Sequence, residues 1–489
     1  MLRIVLIFPN YTIRDKFGEP SDQPLGLTYT AAVLEKKGYE INIIDANAEN
    51  LKITQIRSRL MHMKPDVIGI SCNYSPLHNP TIQTAAMIKN EFNIPVIVGG
   101  NHATAMAEYI ISHSDDNIDF VIRGEGEVVM PNLLEALQGH VKLNDVKGIT
   151  YREAGSVVST PDAPLIDDLD KLPMPAYHLL PMSKYTRYNV ITSRGCPYNC
   201  SYCASNIIFK RKVRYRSTKK VVDEIEYLFL NYGKKRFWFS DDTFTSNPTY
   251  LNKLMDELIK RNLNITWSCL TRVNLVSKDL LLKMKKAGCD YISYGVESGN
   301  QKMLIQMNKK ISLSQVEKAL QLTREAGLRM YTFFLVGIAN ESWDTIKDSY
   351  RLIIKTRPDG ASFAVVIPLP GTAMCDDLIN ENLINFDSME WDYLFCKIPG
   401  GKYEDYAAKL ASKWCNLQPS ELIKACKIGE ALPLIIRFCD VPTNLRSDDI
   451  NGILKLYSTK ISSHIKDKQI FVETVKMYID LLKSKKQSE

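Results

Sequence analysis

The chain has 489 residues, of which 45% are hydrophobic and 24% are charged, the ordinary balance of a globular protein with about two to four domains. Its 62 Lys and Arg residues outnumber 55 Asp and Glu residues only slightly, with no basic stripe interleaved with aromatic residues, which excludes a nucleic-acid partner. No apolar run approaches the roughly 20 residues of a membrane span, and the apolar run at the start of the chain is too short for a signal peptide. The eleven cysteines are scattered along the chain, which predicts a reducing cytoplasm rather than a disulfide framework.

Strand-like and helix-like segments alternate from residue 1 to about residue 145. The runs RIVLIFP, DVIGIS and IPVIVGG are rich in branched apolar residues, as is typical of strands buried on both faces. Such alternation predicts a doubly wound, Rossmann-like parallel sheet with helices on both faces. Because ligands of these sheets bind beyond the carboxyl ends of the strands, we expect a site at residues 9–10, 45–46, 71–75 and 99–102.

Three residues of these loops are candidates for ligand contact. Gly99 and Gly100 let the backbone approach a flat or phosphate-bearing ligand, although a tight turn explains the pair equally well. Ser71 opens the loop after the third predicted strand. The later GEGE run at 124–127 is a weak signal, and no GxGxxG follows the first strand, which disfavours a nicotinamide-binding domain.

Residues 146–189 are rich in proline and aspartate and predict a linker, with one short hairpin around Ala154-Gly155. Three cysteines follow with the spacing Cys196-x-x-x-Cys200-x-x-Cys203. Tetrahedral zinc sites usually close with four ligands, and iron–sulfur clusters take Cys thiolates. Three cysteines on one short loop therefore favour a [4Fe–4S] cluster with one iron left open to a small molecule.

This loop, TSRGCPYNCSYCAS, resembles the cluster loop of the radical S-adenosylmethionine (SAM) family, and its Gly, Pro, Asn and Tyr positions fit as well. The resemblance implies that SAM binds the open iron. Upstream, the segments QPLGLTYTAAVLEKKGYEINIIDA, IPVIVGGNHAT and VIRGEGE resemble the cobalamin-binding domain that often precedes a radical SAM domain. The N-terminal domain is therefore expected to bind cobalamin.

The chain departs from many cobalamin proteins in one respect. No Asp-x-His-x-x-Gly loop is present, and the second strand is followed by Asp45-Ala46-Asn47-Ala48-Glu49. We expect base-off cobalamin whose cobalt is either unligated below or contacted from residues 71–75. His78 and His102 are the remaining histidines on strand-end loops, and either is a less favoured cobalt ligand.

From residue 190 to about 375, six strand–helix units predict a partial (β/α)₆ barrel with its site at the carboxyl ends of the strands. Asp241 and Asp242 follow the second strand, where they would neutralise the charge of SAM or merely cap a helix. Arg272 ends the third strand and would pair with the SAM carboxylate or form a structural ion pair.

Two more positions follow from the family resemblance. Glu297 in GVESG is placed to bind the ribose hydroxyls of SAM. Gly337 stands where the family's fifth strand passes the adenine, but the usual Gly-x-Pro-Gly-Glu-Thr is altered to GIANES. Residues 376–489 predict a mostly helical region that selects the substrate or caps the barrel; its aromatic residues are as readily explained by packing, and no site is assigned there.

The resemblance implies a methyltransferase that acts on an unactivated carbon through a 5′-deoxyadenosyl radical and methylcobalamin. A cobalamin-dependent cyclase, oxidase or rearrangement enzyme and, from another class, a non-catalytic cobalamin sensor stay open as alternatives. A methylthiotransferase would need a second set of three cysteines in the N-terminal domain, which has only Cys72. The substrate is a small molecule, lipid or peptide, and an external donor such as flavodoxin or ferredoxin would supply electrons.

Overall fold

The computed structural model describes residues 2–11, 22–394, 402–439, 441, 445–457 and 459–486. The chain divides into two compact units. Unit 1 comprises residues 1–242, 260–265 and 368–394, and unit 2 comprises residues 243–259, 266–367 and 395–489. Both the N-terminal sheet and the three-cysteine loop therefore belong to unit 1.

A seven-stranded sheet forms the first half of unit 1, in the order β2-β1-β3-β4-β5-β6-β7. Its strands are β1 (Arg3–Phe8), β2 (Glu40–Asp45), β3 (Val67–Ser71), β4 (Val96–Gly99), β5 (Phe120–Ile122), β6 (Ile149–Glu153) and β7 (Ser156–Ser159). The helices of this half are α1 (Leu25–Lys36), α2 (Ile53–Met63), α3 (His78–Phe92), α4 (Asn101–Ala105), α5 (Ala107–Ser112) and α6 (Gly126–Leu137).

The first five strands are parallel, and every residue of β3 is buried, as expected of a strand covered on both faces. The doubly wound sheet predicted from the sequence is confirmed. The order of strands reverses between β1 and β3, which is where open parallel sheets of this order bind their ligands. The expected hairpin is present as β6 and β7, so the sheet continues to Ser159.

The second half of unit 1 carries the cysteine loop. Its elements are β8 (Tyr188–Val190), β9 (Ser193–Arg194), α7 (Asn206–Phe209), β10 (Arg214–Tyr215), α8 (Thr218–Tyr232) and β11 (Arg236–Phe239). Strands β8 and β11 are parallel, whereas β9 and β10 form a short antiparallel pair around the loop. Helix α8 begins where the Ser217 side chain accepts from the Lys220 amide and ends at Gly233, whose φ of +71° suits only glycine well.

Unit 2 contains a parallel ladder in the order β12-β13-β14-β15. Its elements are α9 (Pro248–Arg261), β12 (Thr266–Thr271), α10 (Lys278–Lys286), β13 (Cys289–Glu297), α11 (Gln301–Gln306), α12 (Leu313–Glu325), β14 (Arg329–Val336), α13 (Trp343–Thr356) and β15 (Gly360–Val365). All six strands expected between residues 190 and 375 are thus present, two in unit 1 and four in unit 2. Helix α14 (Ala373–Asn380) follows and belongs to unit 1.

The C-terminal region is helical, as the sequence predicts. Its helices are α15 (Lys402–Ala411), α16 (Pro419–Phe438), α17 (Ile450–Lys455), α18 (Thr459–Ser462) and α19 (Lys468–Lys486). A β-carbon on Gly429 would lie 2.4 Å from the ring of Phe363, so this glycine lets α16 pack closely on β15. Across the described ranges, no helix combines the length and apolar character needed to cross a membrane.

Candidate functional site

A cavity of about 270 Å³ lies at the carboxyl ends of the N-terminal strands, entirely within unit 1. Ser71, Gly99 and Gly100 line it from the ends of β3 and β4. Residues beside the cysteine loop line it as well, among them Arg194 and Asp242. Two of the four predicted ligand loops, 71–75 and 99–102, therefore share one cavity with the strand that leads into the three cysteines, whereas residues 9–10 and 45–46 do not line it.

Gly100 is a position that only glycine fits. Its φ is +124°, and a β-carbon would lie 2.8 Å from the carbonyl carbon and oxygen of Cys72. The adjacent Gly99 is less restricted, because its β-carbon would meet Ile122 at an ordinary 3.6 Å. Gly100 thus brings two strand-end loops together and leaves Gly99 and Ser71 at the cavity wall. This edge of small residues leaves room for the close approach of a broad, flat ligand such as a corrin ring.

His78 and His102 lie together and away from the cavity wall. The Nδ1 atom of His78 is 3.1 Å from Nε2 of His102, whose Nδ1 is 3.2 Å from the Ser75 hydroxyl. The ring of His78 also stacks on Trp391 at 4.9 Å. Burial lowers the pKa of His78 to about 4 and that of His102 well below its ordinary value. The structure uses both imidazoles, in neutral form, for packing, so neither borders the cavity as an axial ligand would.

The loop after β2 carries no histidine, and the carboxylate at the end of the strand, Asp45, is engaged in other contacts. Asp45 is buried, where it accepts hydrogen bonds from the Ala48 amide at 2.8 Å and the Tyr185 hydroxyl at 2.5 Å. Burial nonetheless raises the pKa of Asp45 to about 6. This loop is held by its own hydrogen bonds, in agreement with the missing Asp-x-His-x-x-Gly sequence.

The cysteine loop is shaped by Gly195, which precedes it. Its φ is +94°, and a β-carbon would lie 2.1 Å from the carbonyl oxygen of Lys212. Within the loop, the Cys203 amide donates to the Cys200 carbonyl at 3.2 Å, and the Cys203 thiol donates to Ser205 at 3.3 Å. Cys196 is buried, whereas Cys200 and Cys203 are partly exposed.

These three thiols suit an iron–sulfur cluster by their chemistry. All three are free of disulfide bonds and lie on one loop, and thiolates are the usual cluster ligands. Within the described part of the chain, no three Cys, His, Asp or Glu side chains already surround a common metal position. The fit therefore rests on the donor type and the loop rather than on a closed ligand cage.

The two adjacent aspartates of unit 1 have different surroundings. Asp241 is buried and accepts hydrogen bonds from the Thr192 hydroxyl at 2.7 Å and the Ser193 hydroxyl at 2.5 Å, and burial raises its pKa to about 6. Asp242 lines the cavity and accepts from the Gly195 amide at 3.1 Å. Asp241 thus holds the strand before the cysteine loop, whereas Asp242 touches both the loop and the cavity.

In unit 2, Lys309 contacts both Glu297 and Arg272, two residues predicted from the sequence to contact SAM. Glu297 is buried at a bulge of β13, has a φ of +71°, and accepts from Nζ of Lys309 at 2.7 Å. A guanidinium nitrogen of Arg272 donates to the Lys309 carbonyl. Backbone strain of this kind concentrates at functional sites. Sequence reasoning missed Lys309, because no periodicity or spacing marks a lysine in the NKK run as buried.

Gly337 is fixed by the altered GIANES turn. The Glu341 carboxylate accepts from the Gly337 amide at 2.5 Å and the Ile338 amide at 3.3 Å. The Trp414 indole donates to the Gly337 carbonyl at 2.7 Å, and a β-carbon on Gly337 would lie 2.8 Å from that of Ala411. Burial raises the pKa of Glu341 to about 8. The retained glutamate therefore shapes this turn from within unit 2.

The GEGE run, a weak signal in the sequence, proves to be part of the site. The side chain of Arg194, two residues before Cys196, binds Glu125 and Glu127 at 2.6 Å each, and all three residues line the cavity. These partners are 69 and 67 residues apart in the chain. No local pattern connects them, so only the fold reveals the pair.

Comparison with known proteins identifies two families along the chain. Residues 190–353 match the model of the radical SAM superfamily, and residues 21–134 match that of the B12 binding domain. The chain is 31% identical over 439 residues to an uncharacterized methyltransferase of Pyrococcus horikoshii, which covers 87% of this chain and 94% of that protein. It is 32% identical over 409 residues to the anaerobic magnesium-protoporphyrin IX monomethyl ester cyclase of Rubrivivax gelatinosus, which covers 80% and 73%.

Solved structures share the fold. The radical SAM methyltransferase TsrM of Kitasatospora setae, with cobalamin and a [4Fe–4S] cluster bound, superposes with a TM-score of 0.71 at 16% identity, covering 97% of this chain and 99% of that one. The cobalamin-dependent radical SAM enzyme OxsB, with aqua-cobalamin bound, gives a TM-score of 0.70 at 18% identity, covering 100% and 81%. At these identities the likeness concerns the fold alone.

Proposed function

The chain belongs to the radical SAM family whose members carry a cobalamin-binding domain, and we propose that it methylates an unactivated carbon atom of its substrate. It is a radical SAM enzyme, with a [4Fe–4S] cluster, SAM and cobalamin as its cofactors. We also propose which residues hold these groups and which kind of atom is methylated. These proposals concern the cavity of unit 1 above all.

The observation that carries the proposal is that one cavity adjoins both the N-terminal strand ends and the cysteine loop. We assign the cluster to Cys196, Cys200 and Cys203. We assign the corrin ring to the wall formed by Ser71, Gly99 and Gly100. Cobalamin, which donates the methyl group, and the cluster, which generates the radical, would then bind to adjoining loops of a single compact unit.

When bound, the cluster supplies an electron for SAM cleavage, and cobalamin carries the methyl group to the substrate. Over one turnover, a C–H bond of the substrate is broken and a C–CH₃ bond is formed. One SAM takes up the substrate hydrogen and leaves as methionine and 5′-deoxyadenosine, while a second SAM gives the methyl group and leaves as S-adenosylhomocysteine. Two electrons from an external reductant balance the charge of the two sulfonium ions.

The chain's own residues supply position and a shielded environment. Asp242 fixes the Gly195 amide and so the start of the cysteine loop. Buried apolar side chains such as Ile70, Ile97 and Ile122 line the cavity and keep water from reactive species. In unit 2, we propose that Arg272, Glu297 and Gly337 contact SAM, with Lys309 limiting the negative charge of Glu297.

We further propose that the two electrons come from a flavodoxin or ferredoxin in a reducing cytoplasm. A radical SAM enzyme needs an external reductant, and a partner of this class delivers single electrons. The free thiols of the described cysteines agree with a reducing compartment. The enzyme should sustain turnover when reduced flavodoxin or ferredoxin takes the place of a chemical reductant such as dithionite. Failure of both carriers would contradict this part of the proposal.

A loss-of-ligand variant tests the enzyme class. The anaerobically reconstituted protein, reduced with dithionite, should convert SAM to 5′-deoxyadenosine, and Cys196→Ala should abolish this cleavage because the cluster loses one of three ligands. Cys289→Ala is the matched control, since this buried cysteine lies in β13 and should leave cleavage intact. Wild-type-like cleavage by Cys196→Ala would overturn the assignment.

A cobalamin-dependent cyclase is the second candidate, because the chain is 32% identical to a magnesium-protoporphyrin IX monomethyl ester cyclase. Ring closure of that kind changes the hydrogen and oxygen content of the substrate without adding carbon. Methylation adds one carbon and two hydrogens instead. The elemental composition of the product therefore separates the two reactions.

A further inference from the structure

A buried cluster of charged side chains joins the cobalamin-side loop to the cysteine loop. Glu125 and Glu127 flank Gly126 where α6 begins, and Arg194 stands in β9 directly before Gly195. One guanidinium nitrogen of Arg194 donates to Glu125 and the other to Glu127, both at 2.6 Å. The side chain of Arg194 is 8% exposed, and those of the two glutamates are 2% and 5% exposed. The contact is therefore a buried, two-pronged ion pair.

Glu125 has two further hydrogen-bond partners. It accepts from Arg214 at 2.7 Å and from the Ile166 amide at 2.7 Å. Burial disfavours its charged form, but the hydrogen bond from Arg214 and the charge of Arg194 outweigh that effect and hold the pKa of Glu125 below its ordinary value. The two strands around the cysteine loop, β9 and β10, are thus both tied to one carboxylate of the N-terminal domain.

The backbone beside these side chains is restricted as well. Gly195 cannot carry a β-carbon, because the Lys212 carbonyl lies 2.1 Å from that position. On the opposite side, a β-carbon on Gly126 would lie 3.0 Å from the Thr30 hydroxyl. The Gly195 amide is also held by Asp242 at 3.1 Å, so the residue between Arg194 and Cys196 is restrained by packing and by a hydrogen bond.

A second buried pair offers a structural comparison. Arg216 binds Glu224 of α8 at 2.5 Å, and these side chains are 8% and 1% exposed. The Tyr177 hydroxyl donates to the same carboxylate at 2.6 Å. This pair is buried to the same degree, and neither of its members lines the cavity. Arg216 also donates to the Ile191 carbonyl at 2.9 Å, just before β9, but its carboxylate partner is Glu224 of α8 rather than a residue of the GEGE run.

We propose that Arg194, bound to Glu125 and Glu127, is a positioning residue that sets the placement of the cluster loop relative to the cobalamin cavity. The inference rests on the proposed assignment of the two cofactors. Its physical reason is that transfer between bound groups is steep in distance, so a displacement of about 1 Å costs up to about a hundredfold in rate. A guanidinium fork that binds two carboxylates fixes direction as well as distance, which a lysine ammonium does not.

The test compares Arg194→Lys with Arg216→Lys in protein reconstituted with both cofactors. With cob(II)alamin and the reduced cluster both present and no substrate added, electron paramagnetic resonance measures their magnetic dipole coupling, which falls with the cube of the distance. Wild type and Arg216→Lys should give one defined coupling. Arg194→Lys should give a weaker or broadened one while still binding cobalamin and cluster.

The second measurement is the ratio of 5′-deoxyadenosine to methylated product. Arg194→Lys should raise this ratio about tenfold or more, because SAM cleavage continues while methyl transfer suffers. A merely structural residue would lower both products together, as we expect for Arg216→Lys. If Arg194→Lys does not fold, Glu127→Gln decides, since it removes one charge but keeps the acceptor and the volume.

The outcomes separate this proposal from the proposed function. Wild-type coupling in both Arg194→Lys and Glu127→Gln would overturn the positioning role, whatever reaction the enzyme performs. Equal loss of coupling in Arg216→Lys would overturn it as well, because the effect would then follow from general destabilisation. Altered coupling confined to the Arg194 cluster would support it even if the product proved to be cyclised rather than methylated.

Discussion

Two buried glutamates of unit 1, Glu125 and Glu127, and one of unit 2, Glu341, are held in opposite ways. Glu125 and Glu127 face the guanidinium groups of Arg194 and Arg214, and the pKa of Glu125 is lowered. Glu341 is equally buried, but its hydrogen bonds come from the backbone amides of a turn, and its pKa is raised to about 8. Both sites satisfy a carboxyl group, yet only the first keeps it charged.

This difference shows what a cation contributes that an amide does not. Removal of a carboxylate from water disfavours its charged form, and a facing guanidinium offsets that cost, whereas two amides offset only part of it. The charged cluster therefore joins two chain segments at the wall of the unit 1 cavity. The carboxyl group of Glu341 instead shapes a single turn, which makes it a local element with strong pH dependence.

The largest expected effect is that of breaking the charged cluster. Glu125→Ala should lower the free energy of unfolding by about 3–5 kcal/mol, because Arg194 and Arg214 both lose a buried partner. Chemical denaturation at pH 7 measures the change. The control is Asp162→Ala, whose side chain is 50% exposed and pairs with Arg123 and Lys210; it should cost about 1 kcal/mol or less. Equal costs would show that burial does not distinguish the two clusters.

An intermediate effect is expected at Glu341. Its pKa is raised in the folded state, so the unfolded chain loses a proton near pH 4.5 while the folded chain keeps it to about pH 8. Stability is therefore fully present below about pH 4.5 and is lost as the pH rises to about 8. Relative to Glu341→Gln, the wild type should lose about 4 kcal/mol across this window. Parallel stability curves for the two proteins from pH 5 to 8 would contradict the neutral, buried carboxyl group.

The smallest effect is expected at Asp241, whose pKa is raised by burial less than that of Glu341. Four hydrogen-bond contacts from Thr192 and Ser193 favour its charged form, yet burial raises its pKa from the ordinary 3.8 to about 6. Relative to Asp241→Asn, the wild type should therefore lose about 2 kcal/mol of stability as the pH rises from about 4 to about 6. Denaturation curves at these two pH values measure the loss. A loss that appears only above pH 7 would assign the titration to another group.

Local sequence patterns were enough to predict the N-terminal sheet and the cluster loop. The alternation of strand-like and helix-like segments predicted the doubly wound sheet. The strand order of this sheet reverses between β1 and β3, next to the predicted ligand loops. The spacing of Cys196, Cys200 and Cys203 indicated the cluster loop. These features are visible in the sequence because each depends on residues that are neighbours in the chain or repeat with the period of a strand or helix.

The missed features are contacts between distant segments. Glu125 and Arg194 are 69 residues apart, and the stacking of His78 on Trp391 joins the N-terminal domain to the stretch after β15. Lys309 was overlooked because a lysine is rarely buried unless it is paired, and its partner Glu297 was assigned to SAM alone. Charge pairs of this kind depend on the final packing, which composition and periodicity do not specify.

The measurement that tests the central claim most directly uses SAM with a trideuterated methyl group. The reconstituted, reduced protein is incubated anaerobically with this SAM and a cell extract, and the products are measured by mass spectrometry. We predict one trideuteriomethylated product for each 5′-deoxyadenosine, together with S-adenosylhomocysteine. Formation of 5′-deoxyadenosine with a product that carries no deuterated methyl group would contradict methyl transfer from the cavity of unit 1.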